Sequence, residues 1–272
     1  MCTLIAFHRI HEASEGTSSG TLVAANRDEF YARPARAPEL IAPHVVAGVD
    51  VSQGGTWLGV HASGLFVGLT NQRSFGGRDA TKKTRGEVVL RALGAAELEP
   101  ALATLRELDA REYNGFNLLL GDGDRLVVAY ARPESPDVEL QELGAGVHVL
   151  GNDRLRSPDF PKAARIEREA QQLVRAGAAP FTSQVEPLRA LLANHAQPEL
   201  DSVHVPPGAP FPRELVRALE ATCIHTPHYG TVSSTLLELT PGHVAQYWHA
   251  AGAPCQAPLR PVPLATLLLA GG

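Results

Sequence analysis

Cysteine, surplus charge and long apolar runs are all scarce in this sequence. Its 272 residues include three cysteines, Cys2, Cys223 and Cys255, and no Cys-x-x-Cys pair. An odd number of widely spaced cysteines excludes a disulfide framework and matches no zinc motif of recognisable spacing. We therefore predict that the protein works in a reducing compartment.

The charge balance is mildly acidic, with 24 Lys and Arg residues against 29 Asp and Glu residues. This balance excludes nucleic-acid binding driven by counterion release, and no polybasic run suits an anionic membrane. The apolar stretch at 264–270 is far shorter than the roughly 20 residues that span a bilayer. The N-terminal apolar run ends at Phe7, too early for a signal peptide. We expect a cytoplasmic protein with no nucleic-acid partner and no membrane span, and the sequence leaves its oligomeric state open.

Strand-like and helix-like segments come in blocks. Apolar residues at helical spacing predict helices at 84–94, 99–109, 158–174 and 184–194. Runs rich in β-formers and bounded by turn residues predict strands at 3–7, 21–25, 45–51, 56–61, 64–70, 116–120, 125–131, 138–143, 146–150, 221–225, 231–239 and 243–249. Strands in runs and helices in pairs favour an α+β fold with largely antiparallel sheets over a doubly wound parallel sheet. No polar hinge separates the blocks, so we predict a single domain over 1–272.

Local signals add detail to this outline. Thr84 and Glu87 have the spacing of a capping box, and Gly94 suits the position just past the end of that helix. Residues 31–44 are rich in proline and predict an irregular crossing segment, and the proline-rich residues 197–213 predict a surface excursion.

Cys2 is a candidate nucleophile because of its position. Initiator methionine is normally removed when the next residue is small, and its removal would give Cys2 a free α-amine. An α-amine has a pKa of about 7.7–8.0, so it can act as the base for the thiol beside it. The plainer interpretation is a small apolar residue that starts a strand, and position alone leaves both open.

Charged and amide side chains cluster after the second predicted strand, in Asn26-Arg27-Asp28-Glu29. Because side chains alternate along a strand, Asn26 and Asp28 share one face, and Arg27 and Glu29 share the other. These groups would be costly if buried without partners, so they form either a polar network or an exposed ion pair. Pairing of the first two strands would bring the cluster close to Cys2.

Two further asparagines follow predicted strands. Asn71 ends the run that contains Thr70, and Asn152 follows the run at 146–150. An Asn side chain in such a place can donate its NH2 group to a developing oxyanion. Turn chemistry is the alternative for each of them, since Asn is common in turns.

Several motifs occur in a fixed order along the chain. They are the N-terminal Met-Cys-Thr, ANRDEFYARP at 25–34, GGTWLGV at 54–60, GLTNQR at 68–73, GNDRL with a following Pro and Lys at 151–162, and YGTVSSTLLEL at 229–239. Together they resemble the NRDE domain family, the family of transport-and-Golgi-organization protein 2, over residues 1 to about 250. That family is related in pattern to N-terminal-nucleophile hydrolases of the choloylglycine and penicillin V acylase kind, which implies a four-layer αββα sandwich.

The resemblance also implies catalytic roles. Cys2 matches the nucleophile, and Asp28 matches the acid that positions the amine or thiol of the nucleophile. Asn71 matches the oxyanion-hole amide, and Asn152 matches a second asparagine that binds the α-amine or the substrate.

Supporting roles follow the same resemblance. We expect Asn26, Arg27 and Thr70 to support the site or bind substrate. Ala25 stands where choloylglycine-type hydrolases carry an arginine, and Val232 stands where the YGT segment of the family commonly continues with arginine.

Two competing motifs rank lower. Gly16-Thr17-Ser18-Ser19-Gly20 matches the GxSxG pattern of serine hydrolases, but a polar loop that feeds a strand is the wrong context for a nucleophile elbow. Cys223-x-His225-x-x-His228 could bind a metal, but it lacks a second group of ligands and is typical of a turn with solvent-facing histidines. We therefore expect no metal and no cofactor.

The sequence thus predicts a cysteine-type N-terminal-nucleophile amidohydrolase that cleaves a small non-peptide amide or acyl conjugate. The alternative, suggested by the resemblance, is a non-catalytic carrier of a small, hydrophobic, haem-like or lipid-like ligand on the same fold. The enzyme requires removal of Met1 and a lowered pKa of the Cys2 thiol. The carrier requires an apolar cleft instead.

Overall fold

The computed structural model describes residues 2–10, 20–74, 77–177, 181–203, 205 and 211–269. Its helices are α1 (Arg85–Gly94), α2 (Leu98–Arg106), α3 (Pro161–Arg175), α4 (Phe181–Leu192), α5 (Arg213–Leu219) and α6 (Leu264–Leu269), with 3-10 turns at Ala110–Glu112 and Leu200–Ser202. Its strands are β1 (Cys2–His8), β2 (Thr21–Phe30), β3 (Ala35–Ala42), β4 (Val45–Asp50), β5 (Leu58–His61), β6 (Phe66–Asn71), β7 (Phe116–Gly121), β8 (Leu126–Ala131), β9 (Val138–Glu142), β10 (Gly146–Leu150), β11 (Tyr229–Thr240), β12 (His243–Ala250) and β13 (Arg260–Pro261).

The strands form two antiparallel sheets. The first sheet has the order β10-β1-β2-β11-β12-β13, and the second runs in chain order from β3 to β9. β1 and β2 form the expected hairpin, which places the N-terminal strand in the interior of the first sheet. The expected α+β class with largely antiparallel sheets is confirmed.

Alternation along β1 sends its side chains into two separate cores. Leu4 and Ala6 lie in the core between the two sheets, whereas Ile5 and Phe7 pack with residues of α3 and α4 on the outer face. A third core lies between the second sheet and α1 and α2. Three apolar cores separate four layers, so the predicted αββα sandwich is confirmed.

The start and end of the first helix differ from expectation. The Thr84 side chain makes no capping hydrogen bond to α1, and the Glu87 carboxylate accepts a 3.0 Å hydrogen bond from the Tyr113 hydroxyl instead. Gly94 is the last helical residue, and the left-handed conformation past the end belongs to Ala96, with φ of 64°. The predicted capping box is therefore wrong, because a tertiary partner outcompetes the local bond.

Two segments carry structure that the local signals do not predict. Residues 31–44 contain β3, which tolerates Pro38 because it is the edge strand of the second sheet. Residues 221–225 form no strand, since their backbone groups bond to loop residue Asn194 and to Thr231. Of the proline-rich segment 197–213, residues 204 and 206–210 lie outside the described residues, and its last residue begins α5.

Candidate functional site

Cys2 begins β1 and faces the space between the two sheets. In the antiparallel pair Cys2 lies opposite Arg27, so both side chains project to the same face as Leu4 and Ala25 of the inter-sheet core. The strand pair ends at this point, and Cys2 is partly exposed in the wall of a cleft.

The cleft beside Cys2 lies where the ends of the two sheets meet the start of α1. The space between its walls is about 660 Å³, part of which is open solvent. Most of its wall is polar or charged, and it includes Cys2, Arg27, Asp28, Glu29, Trp57, Asn71, Arg78 and Arg85. Four sequence-predicted residues thus share one cavity, whereas Asn26, Thr70 and Asn152 are not part of its wall.

The carboxylate of Asp28 belongs to a buried polar network. The Thr231 hydroxyl donates a 2.6 Å hydrogen bond to this carboxylate and accepts a 2.9 Å hydrogen bond from the Ile224 N–H. Burial raises the pKa of Asp28, and the nearby Lys162 ammonium partly offsets that rise. Burial likewise lowers the pKa of Lys162, which donates to the Leu219 carbonyl at 3.2 Å. An acid and a base of opposite charge are therefore buried together beside the strand pair that carries Cys2.

The thiol of Cys2 does not have the lowered pKa that the enzyme interpretation requires. Burial raises its pKa, the Asp28 carboxylate raises it further, and Arg27 acts in the opposite direction. In the chain that carries Met1, the thiol is therefore protonated at neutral pH. Any reaction of this sulfur as a nucleophile would need a base to take its proton.

Arg27 lies on the same face as the thiol. Its guanidinium stacks on the Trp57 ring, 4.2 Å from the ring centroid, and lies 3.9 Å from the Glu29 carboxylate. The predicted alternation along β2 is confirmed, since Asp28 points to the other face of the sheet. That alternation directs Arg27 toward Cys2 and the cleft.

Asn71 ends β6 in the wall of the cleft and is held there by a loop of the first sheet. The Asn152 amide donates a 2.6 Å hydrogen bond to the Asn71 carbonyl. Thr70 donates to the Gly151 carbonyl at 2.6 Å, and the buried Asn117 amide donates to Thr70 at 3.1 Å. Thr70 and Asn152 therefore position the end of β6, and the predicted oxyanion role of Asn71 stays a prediction.

Asn26 supports the sheet from its outer face. Its amide NH2 donates 2.9 Å hydrogen bonds to the carbonyls of Leu192 and Thr222, and its oxygen accepts a 2.6 Å bond from Ser234. Because these bonds join β2 to the end of α4 and to β11, Asn26 contributes to stability and has no contact with the cleft wall.

Cations outnumber acids in the cleft wall. Arg33 pairs there with Glu29 at 3.1 Å and also with Asp50, but no carboxylate of the described residues lies within 4.0 Å of Arg78 or Arg85. Burial, with help from Arg78 and Arg33, lowers the pKa of Arg85 to about 10. The cleft therefore offers unpaired cationic groups that suit an anionic part of a ligand.

The two positions where the resemblance leads one to expect arginine are not part of the cleft wall. Ala25 is buried in the inter-sheet core. Val232 is the extra residue of a β-bulge in β11, between the residues that pair with Asp28 and Arg27. The cationic side chains of the cleft come from other positions in the chain.

Sequence reasoning missed Lys162, Thr231 and Arg85. Lys162 is only 1% exposed and lies on the face of α3 that buries Ala163 and Ile166, so a lysine on an apolar helix face was the available signal. Thr231 lies in the YGT motif, which assigned no role to this residue, and Arg85 carries no local signal. The GxSxG match at 16–20 lies, apart from Gly20, outside the described residues. No helix of the described residues is both long and apolar enough to cross a membrane.

Comparison with known sequences identifies the family. The sequence profile described as Transport and Golgi organisation 2 matches residues 1–248. The chain belongs to this family. Among its relatives, the Transport and Golgi organization protein 2 homologs of Bos taurus and Homo sapiens are 31% and 27% identical to it. Each alignment covers 82% of this chain and 83% of the relative.

Solved structures similar to this family member are N-terminal-nucleophile hydrolases. A Caenorhabditis elegans ortholog of N-acylethanolamine-hydrolyzing acid amidase matches with a TM-score of 0.55 and 14% identity, over 96% of this chain and 100% of that chain. A variant of conjugated bile acid hydrolase from Clostridium perfringens matches with a TM-score of 0.51 and 10% identity, over 97% and 93%. At these identities the similarity shows a shared fold alone.

Proposed function

We propose that the protein is a cysteine-type N-terminal-nucleophile amidohydrolase that cleaves a small non-peptide amide or acyl conjugate, with Cys2 as nucleophile after removal of Met1. The observation that carries this proposal is the position of Cys2 at the start of β1, in a cleft shared with Arg27, Asp28 and Asn71. A nucleophile and an amide donor around one cavity, with a buried acid on the adjoining strand, are the groups that acyl transfer uses. The N-terminal-nucleophile hydrolase fold supports the same chemistry.

The proposed reaction has two steps. The Cys2 α-amine takes the thiol proton, and the thiolate attacks the amide carbonyl carbon while Asn71 and a backbone N–H hold the oxyanion. The C–N bond then breaks, the leaving amine takes the proton, and the acyl group stays on sulfur as a thioester. Water cleaves the thioester by the same route, which releases a carboxylic acid and restores the thiol.

The raised pKa of the Cys2 thiol fits this scheme only if a base is adjacent. The α-amine exposed by loss of Met1 would be that base, since it lies on the same residue. We assign to Asp28 the role of holding this amine or the thiol, because the Thr231 hydrogen bond fixes its carboxylate. The positive charge of Arg27, on the same face of the sheet as Cys2, would stabilise the Cys2 thiolate.

Charge in the cleft indicates the kind of substrate. Arg78 and Arg85 supply cationic groups that a carboxylate on the substrate could engage through charge-assisted hydrogen bonds. We therefore propose an N-acyl conjugate that carries an anionic group. Because many residues of the wall are charged, the cleft suits an anionic ligand better than the hydrophobic ligand of the carrier alternative.

Intact mass spectrometry tests the proposal. The full chain is expressed from its own start codon and treated briefly with a thiol alkylator in metal-free buffer near pH 7. We expect a chain lighter by one methionine that is alkylated rapidly and once, at Cys2, and a Cys2→Ala variant that lacks the fast reaction. A chain that keeps Met1, or a Cys2 that reacts no faster than the exposed Cys255, would reject the hydrolase.

Substrate class is tested separately with matched pairs of N-acyl amino acids and their methyl esters. We expect release of the amine from the free acids, faster than from the esters, and a thioester adduct on Cys2 in the quenched mass spectrum. Equal rates for acid and ester would contradict the anionic substrate while leaving the nucleophile unaffected.

A further inference from the structure

Four potential metal ligands from separate parts of the sequence lie close together in the structure. The ligand atoms of His195, Cys223, His225 and Cys255 all lie within 4.8 Å of one another. His195 comes from the loop after α4, Cys223 and His225 from the segment before β11, and Cys255 from the turn after β12. The expectation that the Cys223 and His225 motif lacks further ligands is wrong, because the fold supplies them from two other loops.

The distances within this cluster suit a tetrahedral ion. The Cys223 and Cys255 sulfurs are 3.7 Å apart, and the His225 Nε2 lies 3.6 Å from the first and 3.2 Å from the second. With Zn–S bonds of about 2.3 Å and Zn–N bonds of about 2.0 Å, a tetrahedral site separates two sulfurs by about 3.8 Å and sulfur from nitrogen by about 3.5 Å. The three atoms thus already have the spacing of ligands around one zinc ion.

His195 has a ring nitrogen within 4.8 Å of the other three ligand atoms. Its Nδ1 donates a 3.0 Å hydrogen bond to the Cys223 carbonyl, which leaves the lone pair of the neutral ring on Nε2. A histidine that binds a metal through one ring nitrogen usually donates a hydrogen bond from the other to a carbonyl or carboxylate. That bond fixes the tautomer and the orientation of the ring. The His195 and His225 rings lie close together, with centroids 5.2 Å apart.

The loops that carry these ligands are also tied together by other bonds. The Cys223 N–H donates to the Asn194 carbonyl at 2.9 Å, and Arg189 on α4 donates to the Pro254 carbonyl at 2.6 Å. Each ligand therefore sits next to an anchored backbone. Two thiolates and two imidazoles form a soft, closed set that favours zinc over magnesium or calcium, which prefer oxygen ligands.

We propose that His195, Cys223, His225 and Cys255 bind one Zn²⁺ ion as a structural site that joins three loops of the protein. A set of four protein ligands leaves no open position for substrate, so the role is in stability. The site also bears on the Asp28 network, because Ile224 between two of the ligands bonds to Thr231 through both of its backbone groups. This inference does not depend on the proposed function.

The test uses the full chain expressed in zinc-supplemented medium and purified with a non-chelating reductant. We expect about one zinc per chain by elemental mass spectrometry after dialysis, and a higher melting temperature with zinc than after chelation. Cobalt added to the zinc-free protein should give the intense visible bands of tetrahedral coordination and a thiolate-to-metal charge-transfer band.

Two kinds of variant make the test specific. Cys255→Ser, at an exposed position, should weaken zinc binding by at least about 100-fold and halve the charge-transfer band. His228→Gln, at a neighbouring exposed histidine outside the cluster, should leave both unchanged. Absence of retained zinc together with absence of a cobalt spectrum would overturn the proposal. So would a spectrum that Cys255→Ser does not alter, or a Cys223–Cys255 disulfide in the protein purified with reductant.

Discussion

Replacing Thr231 by valine should destabilise the protein far more than a loss of one exposed hydroxyl would. The hydroxyl donates to the buried Asp28 carboxylate at 2.6 Å and accepts from the Ile224 N–H at 2.9 Å. A hydrogen bond to a charged group contributes about 1.5–3 kcal/mol, and a buried N–H without a partner costs about 1–3 kcal/mol. Since valine has nearly the same shape, packing changes little, and we expect a loss of about 3 kcal/mol or more in the free energy of unfolding.

Urea unfolding at 25 °C, followed by circular dichroism, measures this loss. Thr231→Ser is the matched control, because it keeps the hydroxyl and removes one buried methyl group at a cost of about 1 kcal/mol. The bond favours the charged form of Asp28. The difference in free energy of unfolding between Thr231→Val and the parent protein should therefore become smaller as the pH falls through the pKa of this carboxyl. Equal losses for valine and serine, or a loss for valine below about 1 kcal/mol, would refute the role of the hydroxyl.

Two further predictions concern turnover and acid stability. Asn71→Ala should lower the turnover of an active preparation by about 10²–10³-fold with little change in melting temperature, which steady-state kinetics would show; unchanged turnover would exclude Asn71 from the oxyanion site. Burial lowers the pKa of His249 from 6.5 to about 4, so its neutral form contributes stability at neutral pH that is lost as the unfolded chain takes up a proton between pH 6.5 and 4. His249→Gln should reduce the loss of free energy of unfolding as the pH falls through that window. The control His243→Gln, at an exposed position, should not reduce it. Identical pH profiles of the free energy of unfolding for the two variants would contradict this.

Much of the fold could be predicted because its signals are local. Turn residues and β-formers place eleven of the strands, and helical spacing places α1 to α4, since both patterns report on neighbouring residues in the chain. Helices in pairs and strands in runs predict the α+β class with antiparallel sheets, whereas the four-layer arrangement is implied by the family resemblance. The edge strand β3 escapes this reasoning because proline is typical of loops, and Pro38 is tolerated in β3 only because this strand lies at the edge of the sheet.

The candidate site could be predicted only in part. Alternation along β2 correctly separates Asp28 from Arg27, and strand pairing correctly brings this segment to Cys2. Nothing local reveals that Asn152 turns to the Asn71 carbonyl, because that bond joins a loop of the first sheet to a strand of the second. Cations such as Arg85 likewise reach the cleft only through the packing of α1.

By itself, the sequence determined the chemistry available to this protein. It supplies a cysteine at the second position, an acid, Asp28, on the next strand, and the motifs of its family. The tertiary structure alone decided which groups meet, since contacts such as Thr231 with Asp28, or Cys223 with Cys255, join residues that are distant in the chain. The physical reason lies in the range of the signals. Periodicity and turn chemistry act over a few residues, whereas the partners of a buried polar side chain are chosen by how whole layers pack.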